Sequence, residues 1–435
     1  MTNDAEKSVQ QTQNGVPKPP DADLPGDAEG HLQVWARPDA FPPSPGGAAW
    51  GWTDLKGRAY PCESAEALAD AVRKDRDGAL ELAWSPASDR LVVPEEIPEI
   101  REALLAARER NVRVDFDLAR RRLLVMSLLL GGSVIYQFAT GWQELPRVGA
   151  AEGVTLVLRR MAASVTLGLL VIVWLVFGFI PFYQYWKKRR ELGGWSAGRI
   201  ATLAPVYRFE SWLVLQRAPL TWVFLALIAV VYVFQVVAPN DIAAAGLLKD
   251  ARAAGDWWRL FTAPFLHGFL PHLLMNGAAM WYLGRRMEVL AGWPHLPLVF
   301  LIAAWTGGEF SAQLVAAPTV GASGGLMGWL GFLLVFETLH GRLVPRKSRR
   351  RLLAGVLLTA LIGLVGFRFI DNAAHAGGLL AGMFYAWIVF PKSVSPRRPH
   401  PRAADRIAGG VAMGVLAAAA GFAVWLLVLD WLSSR

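Results

Sequence analysis

The sequence predicts an all-α polytopic membrane protein that carries a small soluble α+β domain near its amino terminus. Of its 435 residues, 54% are hydrophobic and 19 are tryptophans, which is too apolar for an ordinary soluble protein of this size. Apolar runs of about 20 residues, the length of a membrane-spanning helix, recur from residue 123 onward. Before them, apolar residues are spaced as in short strands and amphipathic helices.

The amino-terminal part divides into a tail and a domain. Residues 1–30 are polar and rich in Pro, Gln, Asp and Gly, so we expect a disordered tail without a cleaved export signal. In the domain, residues 31–118, the segments LQVWAR, ALELAW and VRVDF are predicted strands. SAEALADAVRKD and EIPEIREALLAARER are predicted helices. We see no catalytic constellation there and expect a regulatory or partner-binding role.

Two apolar runs come next, at about 123–142 and 162–184. The cluster RRR precedes the first run and KKRR follows the second, so both outer ends are expected in the cytoplasm. The two runs therefore predict a transmembrane hairpin over residues 119–190. The mixed aromatic and basic segment that follows, residues 191–218, is predicted to be an interfacial cytoplasmic linker.

Seven further apolar runs make up the last predicted domain, residues 219–430. They lie at about 220–238, 272–291, 296–317, 322–340, 352–367, 372–390 and 407–429. Basic clusters follow the second, fourth and sixth runs, so the positive-inside rule places these ends in the cytoplasm. The amino-terminal ends of the same three helices then face the extracytoplasmic side, and the soluble domain is expected in the cytoplasm. We expect the protein in the plasma membrane.

Charge and cysteine content exclude other classes. The net charge of +9 could suggest nucleic-acid binding, but in a membrane protein Lys and Arg collect in cytoplasmic loops, so we expect no nucleic-acid partner. The single cysteine, Cys62, excludes an internal disulfide framework and a cysteine metal cluster. We expect neither a metal nor an organic cofactor.

Polar residues recur where the second, fourth and sixth helices of this domain begin. The segment HGFLPHLLMN places His272 and Asn276 on one helix face, with His267 in the loop before it. Ser323 opens the fourth helix, and His375 lies about one turn into the sixth. A single histidine could equally be a helix–helix hydrogen-bond partner, but five polar groups at one depth favour a functional site.

These residue types suit acyl-transfer chemistry. A serine hydroxyl becomes nucleophilic when a histidine takes its proton, and donors must meet the oxyanion that develops. Ser323 lies at a helix start, where backbone N–H groups are unpaired, and His272 and Asn276 can add side-chain donors. Asp371 could orient His375, but its position before the helix favours a capping role and a Ser–His dyad.

Small residues surround both predicted catalytic positions. They are Gly321, Gly324 and Gly328 beside Ser323, and Ala374, Gly378 and Gly382 beside His375. This spacing lets two helix backbones approach closely. Taken alone, Ser323 could be one more small packing residue of this kind; the histidines favour the chemical interpretation.

The residues resemble the rhomboid family of intramembrane serine proteases over about residues 210 to 430. The matching pieces, in order, are Trp258–Arg259, HGFLPHLLMN, WYLGRRME, GASG and AHAGGLLAG. The resemblance implies a six-helix core with a seventh helix at the carboxyl end, here preceded by the two extra amino-terminal helices. It implies a role for each matched residue: Ser323 as nucleophile, His375 as general base, His272, Asn276 and the Ser323 backbone as oxyanion donors, His267, Trp258 and Arg259 as structural or membrane-seating elements, and Glu288 in a pair near the inner loop end.

One position departs from the family pattern. Four residues after the nucleophile the family tends to carry an aromatic that stacks on the histidine, whereas this chain has Met327. A thioether can contact a ring edge but holds the imidazole less firmly, which bears on the rate.

The expected activity is hydrolysis of peptide bonds in or near transmembrane helices of membrane-protein substrates. By the resemblance, substrate enters sideways from the bilayer past the fifth helix and the loop before the fourth. A non-catalytic rhomboid-like chaperone or recruitment factor is the alternative, because the same groove could bind helices without cutting them. A transporter is disfavoured because the polar residues lie near one surface and no inverted repeat is visible.

Overall fold

The chain is predominantly helical with one small sheet, as the sequence predicts. The computed structural model describes residues 32–76, 78–145, 149–237, 241–367 and 370–435. The tail predicted for residues 1–30 lies outside the described residues.

The sheet lies near the amino terminus and orders its antiparallel strands β2-β1-β3. The strands are β1 (Trp50–Thr53), β2 (Ala59–Cys62) and β3 (Leu82–Trp84). The helix α1 (Ala65–Lys74) packs beside the sheet, and its apolar face buries Leu68 and Val72 against Ala83. Strand β3 and helix α1 confirm the predictions for ALELAW and SAEALADAVRKD.

Two of the predicted strands are wrong. Residues 32–37 (LQVWAR) form turns and not a strand. The Trp35 carbonyl accepts a hydrogen bond from Arg208, and the Trp35 indole donates to the Leu343 carbonyl at 2.8 Å. These contacts take the place of a strand ladder. VRVDF lies inside α2 (Arg101–Gln143). Its alternating apolar residues suggest a strand, but Val112 and Phe116 are one helical turn apart and both are buried, whereas Val114 is exposed.

Helix α2 continues without interruption from the amino-terminal unit through residue 118 into the first apolar run. The helices after it are α3 (Ala150–Ala162), α4 (Val165–Val173) and α5 (Ile180–Glu191), with a π-helical turn at Trp174–Phe179. The returning segment packs along α2: the Trp174 indole donates to Ser127 Oγ at 2.8 Å, and Phe182 contacts Phe116. The two apolar runs therefore form a helical hairpin.

The remaining elements are helices, most of which pack around one large buried apolar cluster. They are α6 (Ala197–Ala201), α7 (Ala204–Leu215), α8 (Pro219–Val237), α9 (Asp241–Ala245), α10 (Lys249–Ala253), α11 (Arg259–Thr262), α12 (Leu270–Leu290), α13 (His295–Leu314), α14 (Ser323–Leu339), α15 (Arg346–Val365), α16 (Asn372–Val389) and α17 (Ala403–Ser433).

Four described helical stretches are long and apolar enough to cross a membrane, namely 98–143, 166–194, 219–237 and 403–433. Helix α14 is apolar but shorter, and it is buried along most of its length between α12, α13, α15 and α16. A helix surrounded in this way is shielded from lipid by its neighbours, so its length is not set by the bilayer alone.

Glycines bring α14 and α16 into backbone contact. A Cβ added at Gly378 would lie 2.0 Å from the Gly324 carbonyl oxygen, and one at Gly382 would lie 1.9 Å from that of Gly328. A side chain at either position would therefore push the two helices apart. The structure contains the close approach that the glycine spacing predicts.

Charged side chains join the other ends of the helices. Arg286 of α12 forms a fully buried ion pair with Glu337 of α14 and also donates to Ser348 of α15 at 3.1 Å. Ser348 donates to Glu210 of α7 at 2.6 Å. The carboxyl ends of α12 and α14 and the start of α15 therefore lie together, opposite the end that carries Ser323.

Candidate active site

Ser323 is the first residue of α14, as predicted, and its side chain is half-buried. The chain enters α14 through Gly321, whose φ of +119° lies in a region that residues with a side chain rarely adopt. The Gly321 N–H donates to the Ala263 carbonyl at 3.0 Å, which fixes the entry to the helix. The Ser323 backbone N–H belongs to the first turn, where helical N–H groups lack intrahelical acceptors.

His272 and Asn276 lie against the backbone just before Ser323. A Cβ on Gly321 would be 2.6 Å from His272 Cε1 and 3.4 Å from Asn276 Nδ2. Only a glycine leaves room for the two side chains at this point, which explains the glycine independently of its torsion angle. Both predicted oxyanion donors therefore lie against Gly321, which is two residues before the predicted nucleophile.

His267 holds Asn276 in place. The Asn276 amide nitrogen lies 3.0 Å from His267 Nε2, and His267 is fully buried. Because an amide nitrogen carries two hydrogens, this contact leaves one N–H for another acceptor. His267 therefore orients the side chain of Asn276.

Gln235 of α8 is a site residue beyond those predicted from the sequence. Its side chain donates to the His267 carbonyl at 2.7 Å and accepts from the His267 N–H at 2.8 Å, so both polar ends of the amide fix the loop. Gln235 is buried at 2% exposure in the otherwise apolar run VVYVFQVV. An isolated glutamine in such a run is the signal that could have identified it.

His375 lies in the first turn of α16, and the cap before it is Asp371, as predicted. The Asp371 carboxylate accepts from the Ala374 N–H at 2.8 Å. The Nδ1 atom of His375 is buried and has no hydrogen-bond partner among the described residues. Asp371 therefore holds the helix that carries the imidazole, and its carboxylate is bonded to other groups than the ring.

Ser323 and His375 lie beside one of the backbone contacts between α14 and α16. A Cβ on Gly324, the residue after Ser323, would lie 3.6 Å from the carbonyl oxygen of Ala374, the residue before His375. In the part of the chain that the structure describes, no hydrogen bond joins the Ser323 hydroxyl to the His375 imidazole. The backbone places the two residues beside each other without a formed dyad.

The loop before α12 is organised by Arg259. Its guanidinium is buried, pairs with Asp256 at 2.9 Å, donates to the Gly246 carbonyl at 2.9 Å and stacks over the Trp258 ring. Trp258 packs edge-on against Phe422 of α17. The contact between Trp258 and Phe422 fixes the loop to the helical bundle.

The two remaining predicted positions, Met327 and Glu288, lie in different surroundings from each other. Met327 is buried within α14 and belongs to the main apolar core. Glu288 accepts from the Leu220 N–H at 3.0 Å and from the N–H and hydroxyl of Thr221 at 2.9 and 2.8 Å, so it caps the start of α8. Among the described residues no cluster of His, Cys, Asp and Glu is suited to hold a metal ion.

The fold and the site define an integral membrane protein with polar side chains gathered where buried helices begin. Residues 254–392 match the family model described as "Rhomboid domain". This segment contains every polar residue of the site except Gln235. Through these residues the chain is similar to the rhomboid family.

Several curated relatives are similar to part of this chain. "Rhomboid protease GluP" of Bacillus subtilis (strain 168) is 37% identical over 138 residues, which cover 31% of this chain and 26% of that protein. "RHOMBOID-like protein 6, mitochondrial" of Arabidopsis thaliana is 35% identical over 143 residues, 32% of this chain and 46% of that one. "Rhomboid protease GlpG" of Yersinia pseudotuberculosis serotype I (strain IP32953) is 28% identical over 213 residues, 46% of this chain and 73% of that one.

The chain thus spans about a quarter and about half of the length of the first two relatives. The family-model match at residues 254–392 lies outside the amino-terminal unit.

Proposed function

We propose that the protein is an intramembrane serine protease in which Ser323 is the nucleophile and His375 the general base. The observation that carries the proposal is the Gly321 turn. It brings the start of α14 against His272 and Asn276, while the Gly324–Gly378 contact brings the helix of His375 to the same point. Two relatives named rhomboid protease support the same chemistry.

The mechanism follows from these positions. His375 takes the proton of the Ser323 hydroxyl as the oxygen attacks a peptide carbonyl. The oxyanion that forms is met by the Ser323 backbone N–H and by donors from His272 and Asn276. His375 then gives the proton to the leaving amine, and a water molecule hydrolyses the acyl-enzyme. Such hydrogen bonds often tighten only when substrate binds, which fits the unformed dyad.

We propose a rhomboid-type core in which α8 and α12 to α16 are the six helices and α17 the seventh. The hairpin of α2 and α4–α5 adds two spans. In this organisation residues 1–30 are a tail, 31–118 a cytoplasmic domain, 119–190 the hairpin, 191–218 an interfacial linker and 219–430 the protease domain. The gathered charged ends of α12, α14 and α15 face the cytoplasm. The site then opens on the extracytoplasmic side of the plasma membrane.

Transmembrane helices of other proteins are the proposed substrates. Helix α15 packs on α14 and on α4, and Leu357, Leu361 and Leu364 on it are exposed. An apolar face of this kind allows a helix to approach from lipid. The substrate helix must unwind near the cut, because its carbonyls are otherwise occupied by helical hydrogen bonds.

The test compares Ser323→Ala with Ser133→Ala in the full-length protein, reconstituted with a single-span substrate. Ser133 lies on α2, away from the site, and controls for the loss of a hydroxyl. The expected result is complete loss of cleavage only in Ser323→Ala. Cleavage that survives in Ser323→Ala refutes the proposal, and binding without cleavage by the wild type favours the chaperone alternative.

A further inference from the structure

A polar network lies beside the proposed dyad and joins four separate elements. Lys249 of α10 donates to the hydroxyls of Ser311 and Thr319, the latter at 2.9 Å. Both hydroxyls also donate to Asp371 Oδ2, which lies 2.6 Å from Thr319 Oγ1. The two hydroxyls are 3.0 Å apart.

The direction of each hydrogen bond follows from the chemistry of the groups. An ammonium only donates, and an ionised carboxylate only accepts. Each hydroxyl accepts from Lys249 and donates its one hydrogen to Asp371, so all bonds run from the cation to the anion. Charge at both ends makes these bonds stronger than neutral ones.

The network connects the two chain segments that deliver the dyad. Thr319 lies four residues before Ser323, and its backbone pairs with Leu247 through two hydrogen bonds of 3.0 and 3.1 Å. Asp371 lies four residues before His375, and its other carboxylate oxygen caps α16. One carboxylate therefore fixes both the approach to Ser323 and the start of the helix that carries His375.

We propose that Asp371 is a positioning residue, and that its bonds to Thr319 and Ser311, with Lys249 as counter-charge, set the distance between Ser323 and His375. This inference rests on the proposed protease function. In this proposal Asp371 is not the third member of a catalytic triad. Its carboxylate positions helix α16 and the approach to Ser323 through the hydroxyls of Thr319 and Ser311. Loss of the network then lowers the rate of the chemical step and leaves substrate affinity unchanged.

The chain provides a matched control in the same helices. Arg252 of α10 bonds Glu309 of α13 at 2.6 Å, and this pair joins the two elements that Lys249 and Ser311 also join. The Arg252 pair has no bond to Thr319 or Asp371. Removing it tests whether any lost contact between α10 and α13 has the same effect.

The experiment uses the reconstituted full-length protein and measures two quantities: the rate at which a fluorophosphonate labels Ser323, and kcat and KM for a single-span substrate. Thr319→Val keeps the shape and removes the hydroxyl, whereas Thr319→Ser keeps the hydroxyl. We expect Thr319→Val and Asp371→Asn to lower labelling and kcat by about 10- to 100-fold with KM unchanged. Thr319→Ser and Arg252→Met should stay within about twofold of the wild type.

A double variant tests whether Thr319 and Asp371 act through the same network. If Thr319 and Asp371 act together, Thr319→Val with Asp371→Asn is only slightly worse than either single variant. Wild-type labelling in Thr319→Val overturns the inference, as does an equal loss in Arg252→Met. A wild type that neither cleaves nor is labelled at Ser323 refutes the protease function itself, so the two failures are distinguishable.

Discussion

Gly378→Ala tests whether the contact between α14 and α16 sets the geometry of the site. The added Cβ would lie 2.0 Å from the Gly324 carbonyl oxygen, whereas ordinary contact begins near 3.4 Å. The two backbones must therefore separate by roughly 1.4 Å, the difference between these distances. Gly378 is one turn after His375 and Gly324 follows Ser323, so the separation moves the base away from the nucleophile.

The expected effect is large on rate and moderate on stability. A misplacement of about 1 Å at a catalytic group can lower the rate by about 100-fold. Overpacking destabilises by about 1–3 kcal/mol, partly offset by the gain of about 1 kcal/mol when Ala replaces Gly in a helix. We therefore expect cleavage to fall by about two orders of magnitude while the protein remains folded.

The assay is cleavage of a single-span substrate in liposomes, with thermal unfolding of each variant measured in parallel. Gly414→Ala is the matched control, because it lies on α17 with no heavy atom within 4 Å of its added Cβ and shares the change in helix propensity. Cleavage by Gly378→Ala at the rate of Gly414→Ala would show that the contact between α14 and α16 does not set the geometry of the site.

Three further predictions follow from other contacts. Gly321→Ala should lower cleavage by about 10- to 100-fold, because its Cβ displaces His272; Gly255→Ala has a similar positive φ with open space around it and should not. Burial lowers the pKa of Lys249 to about 8, so the unfolded state binds more protons above that pH. The free energy of unfolding of the wild type relative to Lys249→Met should then rise from about pH 8 to about pH 10 in detergent denaturation. Glu288→Gln should lower stability by about 1–2 kcal/mol in the same measurement, because it removes the charge at the start of α8.

Each of these predictions has an outcome that contradicts it. Equal activity of the Gly321 and Gly255 variants shows that the His272 contact is unimportant. A constant stability difference across pH shows that Lys249 does not titrate in this range. An unchanged free energy of unfolding of the Glu288→Gln variant shows that the cap does not stabilise α8.

Local signals in the sequence predict the helices that form the site. Ser323 opens α14, and Asp371 caps α16 as a capping residue placed just before an apolar run commonly does. The positions of His272 and Asn276 near the start of α12, and of His375 near the start of α16, follow from counting along each apolar run. None of these inferences needs contacts between distant parts of the chain.

The parts that sequence reasoning missed depend on contacts between distant residues. Gln235 bonds His267 across 32 positions, and Lys249 bonds Thr319 across 70. The VRVDF segment has the alternation of a strand, yet the continuity of α2 and the burial of its helical face override it. Local pattern gives no information on which of two distant polar residues will meet.

The most direct test of the central claim is to identify the residue that a fluorophosphonate modifies. The full-length protein is labelled, digested and analysed by mass spectrometry, beside His375→Ala. A Ser323–His375 dyad predicts one adduct, on the peptide that contains Ser323, which is lost when His375 is replaced. An adduct on another serine, or equal labelling of Ser323 without His375, would contradict it.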